Sequence, residues 1–161
     1  MLSRKVILTG SFGVGKTSLF SRFINNSFSD RYITTIGVKV DKKLVEIDGK
    51  EISILLWDIA GEVTQNKVPN SYFLGASAII YVFDLSRPST YKNLKIDIEF
   101  LNKILPNITI LIVGNKKDIV TSEKIATIKE DIGYPIDLYT SAKTGENVEN
   151  LFETIGRGFL E

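Results

Sequence analysis

The run Gly10-Ser-Phe-Gly-Val-Gly-Lys-Thr17 has the spacing G-x-x-x-x-G-K-T. Glycines at these places let the backbone curl until successive N–H groups point inward, which makes a concavity suited to an anion. An apolar run, Val6-Ile-Leu, precedes it, and Leu19-Phe20 with Phe23-Ile24 follow at helical spacing. A strand, a glycine-rich turn and a helix in that order are the context a phosphate-binding turn needs. Ser11, Phe12, Gly13, Val14, Gly15, Lys16, Thr17 and Ser18 are therefore expected to surround phosphate oxygens. Lys16 is placed to reach the outer phosphates, the helix start adds positive potential, and the Thr17 hydroxyl is a ligand for Mg²⁺.

Three further stretches follow strand-like runs. Asp58-Ile-Ala-Gly61 offers a carboxylate that can hold Mg²⁺ through water opposite Thr17, and a Gly61 N–H for a terminal phosphate. Taken alone, Asp and Gly here also read as turn residues. Asn115-Lys116-Lys-Asp118 supplies a carboxylate able to accept two hydrogen bonds at once. Guanine presents the matching donors, N1–H and the 2-amino group, and adenine does not. Ser141-Ala142-Lys143 follows the last strand, where a backbone N–H can meet the guanine carbonyl. Each piece is weak alone; together and in this order they point to one guanine nucleotide with Mg²⁺.

The elements that must position these residues are legible from periodicity. Lys5 to Thr9 reads as a buried strand and Lys16 to Asn25 as a helix. Residues 26–37 read as loop. Val38 to Ile47 and Glu51 to Trp57 flank Asp48-Gly49, a strong hairpin signal because a type I′ turn needs positive φ at both centres. Val38 and Val40 fall in one phase and Val45 and Ile47 in the other, so a bulge or twist is expected near Lys42-Lys43. Residues 58–70 carry no clear period and read as loop with a loose helix. Ala78 to Phe83 and Ile108 to Val113 are runs of parallel-strand character, with Asp137 to Tyr139 a short strand. Helical stripes run through Tyr91–Leu105, Ile125–Ile132 and Val148–Phe159, the last with Asn147 as expected N-cap. Strands alternating with about five helices after one hairpin predict an α/β fold, a mainly parallel six-stranded sheet with one antiparallel edge strand. Ligands then sit at the carboxyl ends of the strands, where all four stretches lie.

The 161 residues form one expected domain, residues 1–161, with no linker or repeat. With no His and no Cys, Ser-His-Asp and thiol catalysis, disulfides and thiolate metal sites are excluded for this sequence. A net charge of +1 implies no nucleic-acid or polybasic membrane contact. Nothing resembles a signal peptide or a membrane span, so a cytoplasmic protein and a monomer are expected.

The five segments Gly10–Thr17, Thr35, Asp58–Gly61, Asn115–Asp118 and Ser141–Lys143 resemble the nucleotide motifs of Ras-like small GTPases, over essentially the whole chain. Thr34-Thr35-Ile-Gly-Val, Trp57-Asp58-Ile-Ala-Gly and Tyr72-Phe-Leu-Gly-Ala76 look most like the Rab branch. The resemblance implies the P-loop NTPase fold and a GTPase. It implies that Phe28 packs on the guanine edge, that Tyr32 lies at the nucleotide, and that Thr35 binds Mg²⁺ when GTP is present. It makes Tyr32-to-Gly37 and Gly61-to-Tyr72 two switches that relax when the γ-phosphate is lost. It assigns Lys16, Thr35, Gly61 and the residue at 62 to catalysis, and Thr17, Thr35 and Asp58 to the metal. Trp57 and Tyr72 match part of an aromatic patch shown to effectors, exchange factors and GTPase-activating proteins, with Val40 where the third aromatic usually stands. Trp57 also fits a purely core role.

Three departures stand out. Glu62 replaces the Gln that orients the attacking water, and Phe12 replaces a small residue. Phe12 is expected over the γ-phosphate, shutting out an arginine finger. Arg31, four residues before Thr35, is a candidate finger in the chain itself and reads as a solvated charge. The missing C-terminal Cys leaves no prenyl anchor, so the chain works unanchored or Glu161 closes a piece of a longer protein. The expected function is a slow GTP-hydrolysing switch. The alternatives are a non-cycling module that only holds nucleotide and the GTPase domain of a larger signalling protein.

Overall fold

The structure, a computed structural model, describes residues 2–26, 38–59 and 70–161. Six strands, β1 (Leu2–Gly10), β2 (Val38–Ile47), β3 (Lys50–Ile59), β4 (Ala76–Asp84), β5 (Thr109–Asn115) and β6 (Leu138–Tyr139), form one sheet. Its order is β2-β3-β1-β4-β5-β6. Only β2 runs antiparallel to its neighbour; the other pairs are parallel. Among the described residues there are four α-helices, α1 (Lys16–Asn25), α2 (Leu94–Ile104), α3 (Ser122–Ile132) and α4 (Val148–Gly158), with short 3-10 turns between elements. The loose helix expected in residues 58–70 falls almost wholly outside the described residues. None of the described helices is long and apolar enough to cross a membrane.

The sheet is covered on both faces because its central strands are apolar on both. Alternate residues of β1 and β4 feed two separate cores. Val6, Leu8, Ile80 and Val82 pack with α1 and α4 on one face. Ile7, Ile79, Tyr81 and Phe83 pack with α2 and α3 on the other. On the first face Phe23 of α1 stacks on Phe152 of α4 with centroids 3.6 Å apart, an arrangement worth about 0.5–1.5 kcal/mol beyond its buried area.

The hairpin turn is as the Asp-Gly pair dictates, with Asp48 at φ 52° and Gly49 at φ 77°. Of the bulge or twist expected near Lys42-Lys43, the bulge is absent. The pairing runs unbroken from Val38 opposite Ile59 to Ile47 opposite Lys50. The change of phase has another cause. Val38 packs on the α2–α3 face, while Val45 and Ile47 pack on the α1–α4 face, so the two ends of this edge strand rest on opposite layers. The register shift instead lies in the β1–β4 pair, between Lys5 and Val6. Asn147 is the N-cap residue of α4, as expected, but its side chain makes no capping bond. At φ 61° its side chain donates to the Tyr139 carbonyl over 2.8 Å, which fastens the helix start to β6.

Parallel strands align their carboxyl ends on one edge. Gly10 closes β1, Asp58 stands next to last in β3, Asp84 closes β4, Asn115 closes β5, and Ser141 lies two residues past β6.

Candidate functional site

The turn after β1 needs its glycines. A Cβ on Gly10 (φ 146°) would collide with the Val82 carbonyl oxygen, and one on Gly15 (φ 99°) with the Asn115 amide nitrogen. Gly15 is also the residue ahead of α1, so no side chain caps that helix. Its first N–H groups are oriented for an external acceptor rather than a cap. Lys16 folds back over the turn, with Nζ 3.2 Å from the Gly10 carbonyl and 2.9 Å from that of Ser11. Burial lowers its pKa to about 8, against the pull of Asp58, while Arg87 lowers it further. A buried ammonium at this turn is a charge suited to an anionic ligand.

Three successive carbonyls of the turn are held from outside. Arg87 Nη2 donates to Phe12 O. Lys116 Nζ donates to Gly13 O at 3.1 Å, and Asn115 Nδ2 to Val14 O at 3.0 Å. Arg87 and Lys116 share one fully buried carboxylate oxygen, Asp84 Oδ2, at 3.3 and 2.8 Å. The other oxygen, Oδ1, accepts from the Ser86 N–H and hydroxyl.

Thr17 Oγ1 donates to Asp58 Oδ2 over 2.7 Å, and Asp58 is fully buried. A hydroxyl and a carboxylate meeting beside the glycine-rich turn are hard oxygen donors. That set suits Mg²⁺, which takes one or two protein oxygens plus phosphates and water.

At the far end, Asn115 Oδ1 accepts from Thr140 Oγ1 at 3.0 Å and from the Ala142 N–H at 3.2 Å. Its amide group, bonded to Val14, therefore joins the glycine-rich turn to the last loop. Asp118 Oδ1 accepts from Ser141 Oγ at 2.7 Å, and that oxygen accepts the Thr144 N–H at 3.1 Å. The loop is gripped from behind by Arg22 of α1, which donates to the Ala142 and Lys143 carbonyls at 2.8 and 2.6 Å. Lys116 takes φ 70°, which turns the chain between Asn115 and Asp118.

The residues from Ser11 to Ser18, Asp58, Asn115, Lys116, Asp118 and Ser141 to Lys143 thus share one strand-end region. Phe28, Arg31, Tyr32, Thr35, Gly61 and Glu62 lie outside the described residues. Val40 is 45 % exposed and pairs across the hairpin with half-buried Trp57, and Tyr72 packs in the same layer as Trp57. Lys5 Nζ lies 3.7 Å from the Trp57 ring centroid and donates to the Leu74 carbonyl, so the indole is held at the surface edge of the core. Asp84, Arg87, Arg22 and Thr140 were not expected in the site. Asp84 carried a readable signal, since like Asp58 and Asn115 it is a polar residue closing an apolar strand. Arg87 carried none, as it reaches Phe12 across 75 residues of sequence.

Comparison with known proteins gives a consistent set. The model of the Ras family matches residues 5–161. The chain is 38 % identical over 157 residues to the GTP-binding protein YPTM2 of Zea mays, covering 92 % of this chain and 75 % of that one. It is 39 % identical over 160 residues to the Ras-related protein RIC1 of Oryza sativa subsp. japonica, covering 94 % and 77 %.

Proposed function

Because the chain belongs to the Ras family, on its Rab branch, we propose that it is a guanine-nucleotide switch that binds GTP or GDP with Mg²⁺ and hydrolyses GTP slowly. The observation that supports this most is the reach of Asn115. One side chain bonds both the phosphate turn and the Ser141–Lys143 loop, so a ligand with phosphates at one end and a base at the other spans a single rigid unit.

In this reading Lys16 stays protonated when a polyphosphate arrives, because the anion raises the pKa that burial had lowered. The N–H groups of the turn and of the start of α1 donate to the phosphate oxygens. Asp118 accepts from guanine N1–H and the 2-amino group, held in place by Ser141. Thr17 and Asp58, joined by Thr35 in the GTP state, are the residues to hold Mg²⁺. Bound there, Mg²⁺ would supply positive charge to offset the charge that develops in phosphoryl transfer. Glu62, ionised, accepts a hydrogen bond from the attacking water but donates none to the phosphate, and its charge opposes an anion. Hydrolysis is then slow, and Phe12 shields the γ-phosphate from an arginine finger. Val40, Trp57, Tyr72 and the two switch segments face effectors and regulators.

A competition titration with GTP and ATP against a fluorescent guanine nucleotide tests the ligand. The reading requires strong preference for GTP, and equal affinities would overturn it.

A further inference from the structure

We propose that Arg87 is a positioning residue for the phosphate turn, and that its tie to the Phe12 carbonyl sets how slowly guanine nucleotide leaves. The inference rests on the nucleotide reading above and goes beyond it. A trans peptide unit is planar, with its C=O and the following N–H pointing in opposite directions. Fixing a carbonyl outward therefore fixes the next N–H inward. Arg87 on Phe12 O orients the Gly13 N–H; Lys116 on Gly13 O orients that of Val14; Asn115 on Val14 O orients that of Gly15. Three consecutive donors are thus aimed by three side chains behind the turn, before any ligand pulls on them.

Arg87 is the outermost of the three. Its Nε is anchored 3.3 Å from Asp84 Oδ2, which is fully buried and also anchors Lys116. The guanidinium lies beside Gly13, where an added Cβ would stand 3.1 Å from Nη1. Gly13 takes φ 74°, a conformation that glycine adopts readily and leaves as readily. An external clamp is what keeps such a residue in one state. The fork geometry matters as well. The guanidinium keeps Nε within ion-pair range of the carboxylate while Nη2 donates to the carbonyl, whereas an ammonium offers one nitrogen for both. Its side chain is 43 % exposed and that of Lys116 36 %, so solvent reaches both cations of the clamp.

The test is release of N-methylanthraniloyl-GDP from the Mg²⁺-loaded protein, with the backbone amide of Gly13 followed by nitrogen-15 NMR. Arg87→Ala is expected to release the nucleotide about tenfold faster or more, as losing a charge-assisted hydrogen bond allows. The Gly13 amide should move away from its hydrogen-bonded position. Arg87→Lys should fall between wild type and Arg87→Ala in both readouts, and it stands in should the alanine variant fail to fold. A general loss of stability would lower the melting temperature without moving Gly13 alone. Release within twofold of wild type by a folded variant, or an unmoved Gly13 amide, overturns the role of Arg87. Failure of the wild-type protein to retain the GDP probe at all overturns the nucleotide reading and this inference with it.

Discussion

The Asn115 side-chain amide lies 3.0 Å from the Val14 carbonyl oxygen, so the end of β5 and the turn after β1 are one hydrogen-bonded piece. Its carbonyl oxygen takes two more bonds, from Thr140 and Ala142. Asn115→Ala removes all three. Buried groups left without partners cost about 1–3 kcal/mol, so the variant should bind GDP more weakly, by about fivefold or more. A fluorescence titration with melting curves beside it checks this.

Asp118→Asn exchanges one acceptor for an amide donor while keeping the size of the side chain. Guanine's 2-amino group then faces a donor, whereas the 2-oxo group of xanthine accepts from it. Preference should swing from GTP to XTP in a competition titration. A variant that keeps its preference for GTP would contradict the role of Asp118.

Lys16 should make nucleotide binding sensitive to alkali. With its pKa near 8 in the ligand-free protein, raising the pH above 8 removes the proton that a polyphosphate needs. GDP affinity should be level below pH 7 and fall toward about tenfold per unit above 8, until the raised pKa of the complex is approached. The sign for stability is opposite. The unfolded lysine, near 10.5, holds more protons than the folded one between pH 8 and 10.5, so this group favours folding of the ligand-free protein as pH rises through that window. Titrations at pH 6.5, 8 and 9 check the first effect, and a flat profile would count against it.

Thr17 and Asp58 touch at 2.7 Å. Thr17→Ala should release GDP quickly in the presence of Mg²⁺, and adding EDTA should change that rate little. In the wild-type protein EDTA should accelerate release strongly. Stopped-flow or manual release assays with and without EDTA separate the two.

Much of this arrangement was written in short-range pattern. The glycine turn, the Asp48-Gly49 hairpin and the apolar runs of β1, β4 and β5 each depend on neighbours in sequence, so periodicity and turn chemistry reveal them. β2 misled because an edge strand is covered differently at its two ends, and a single-strand pattern cannot say which layer lies over which end. Asn147 is the N-cap residue as read, but its side chain bonds Tyr139, a tertiary partner that the local pattern does not show. The gathering of the candidate site residues at strand ends was legible for the reason that parallel strands end together. The clamp behind the turn was not, because a half-buried arginine gives no local hint of a distant carbonyl. Phe28, Tyr32, Thr35, Gly61 and Glu62 belong to segments outside the described residues, and their roles rest on the motif pattern alone.

Phe12 and Glu62 together should govern the response to a Rab-type GTPase-activating protein. Phe12→Gly with Glu62→Gln should gain acceleration that neither change gives fully, on a scale where an arginine finger is worth ~10³–10⁵ in rate. Acceleration of the wild-type protein by such a finger to that extent would contradict shielding by Phe12.

Single-turnover hydrolysis of bound GTP tests the central claim most directly. Protein loaded with GTP and Mg²⁺, freed of excess nucleotide and sampled over hours by chromatography, should convert its GTP to GDP completely. The expected rate is on the order of 10⁻⁴ s⁻¹, that of unassisted small GTPases. Bound GTP that persists intact for days would contradict a cycling switch and leave a module that only holds nucleotide.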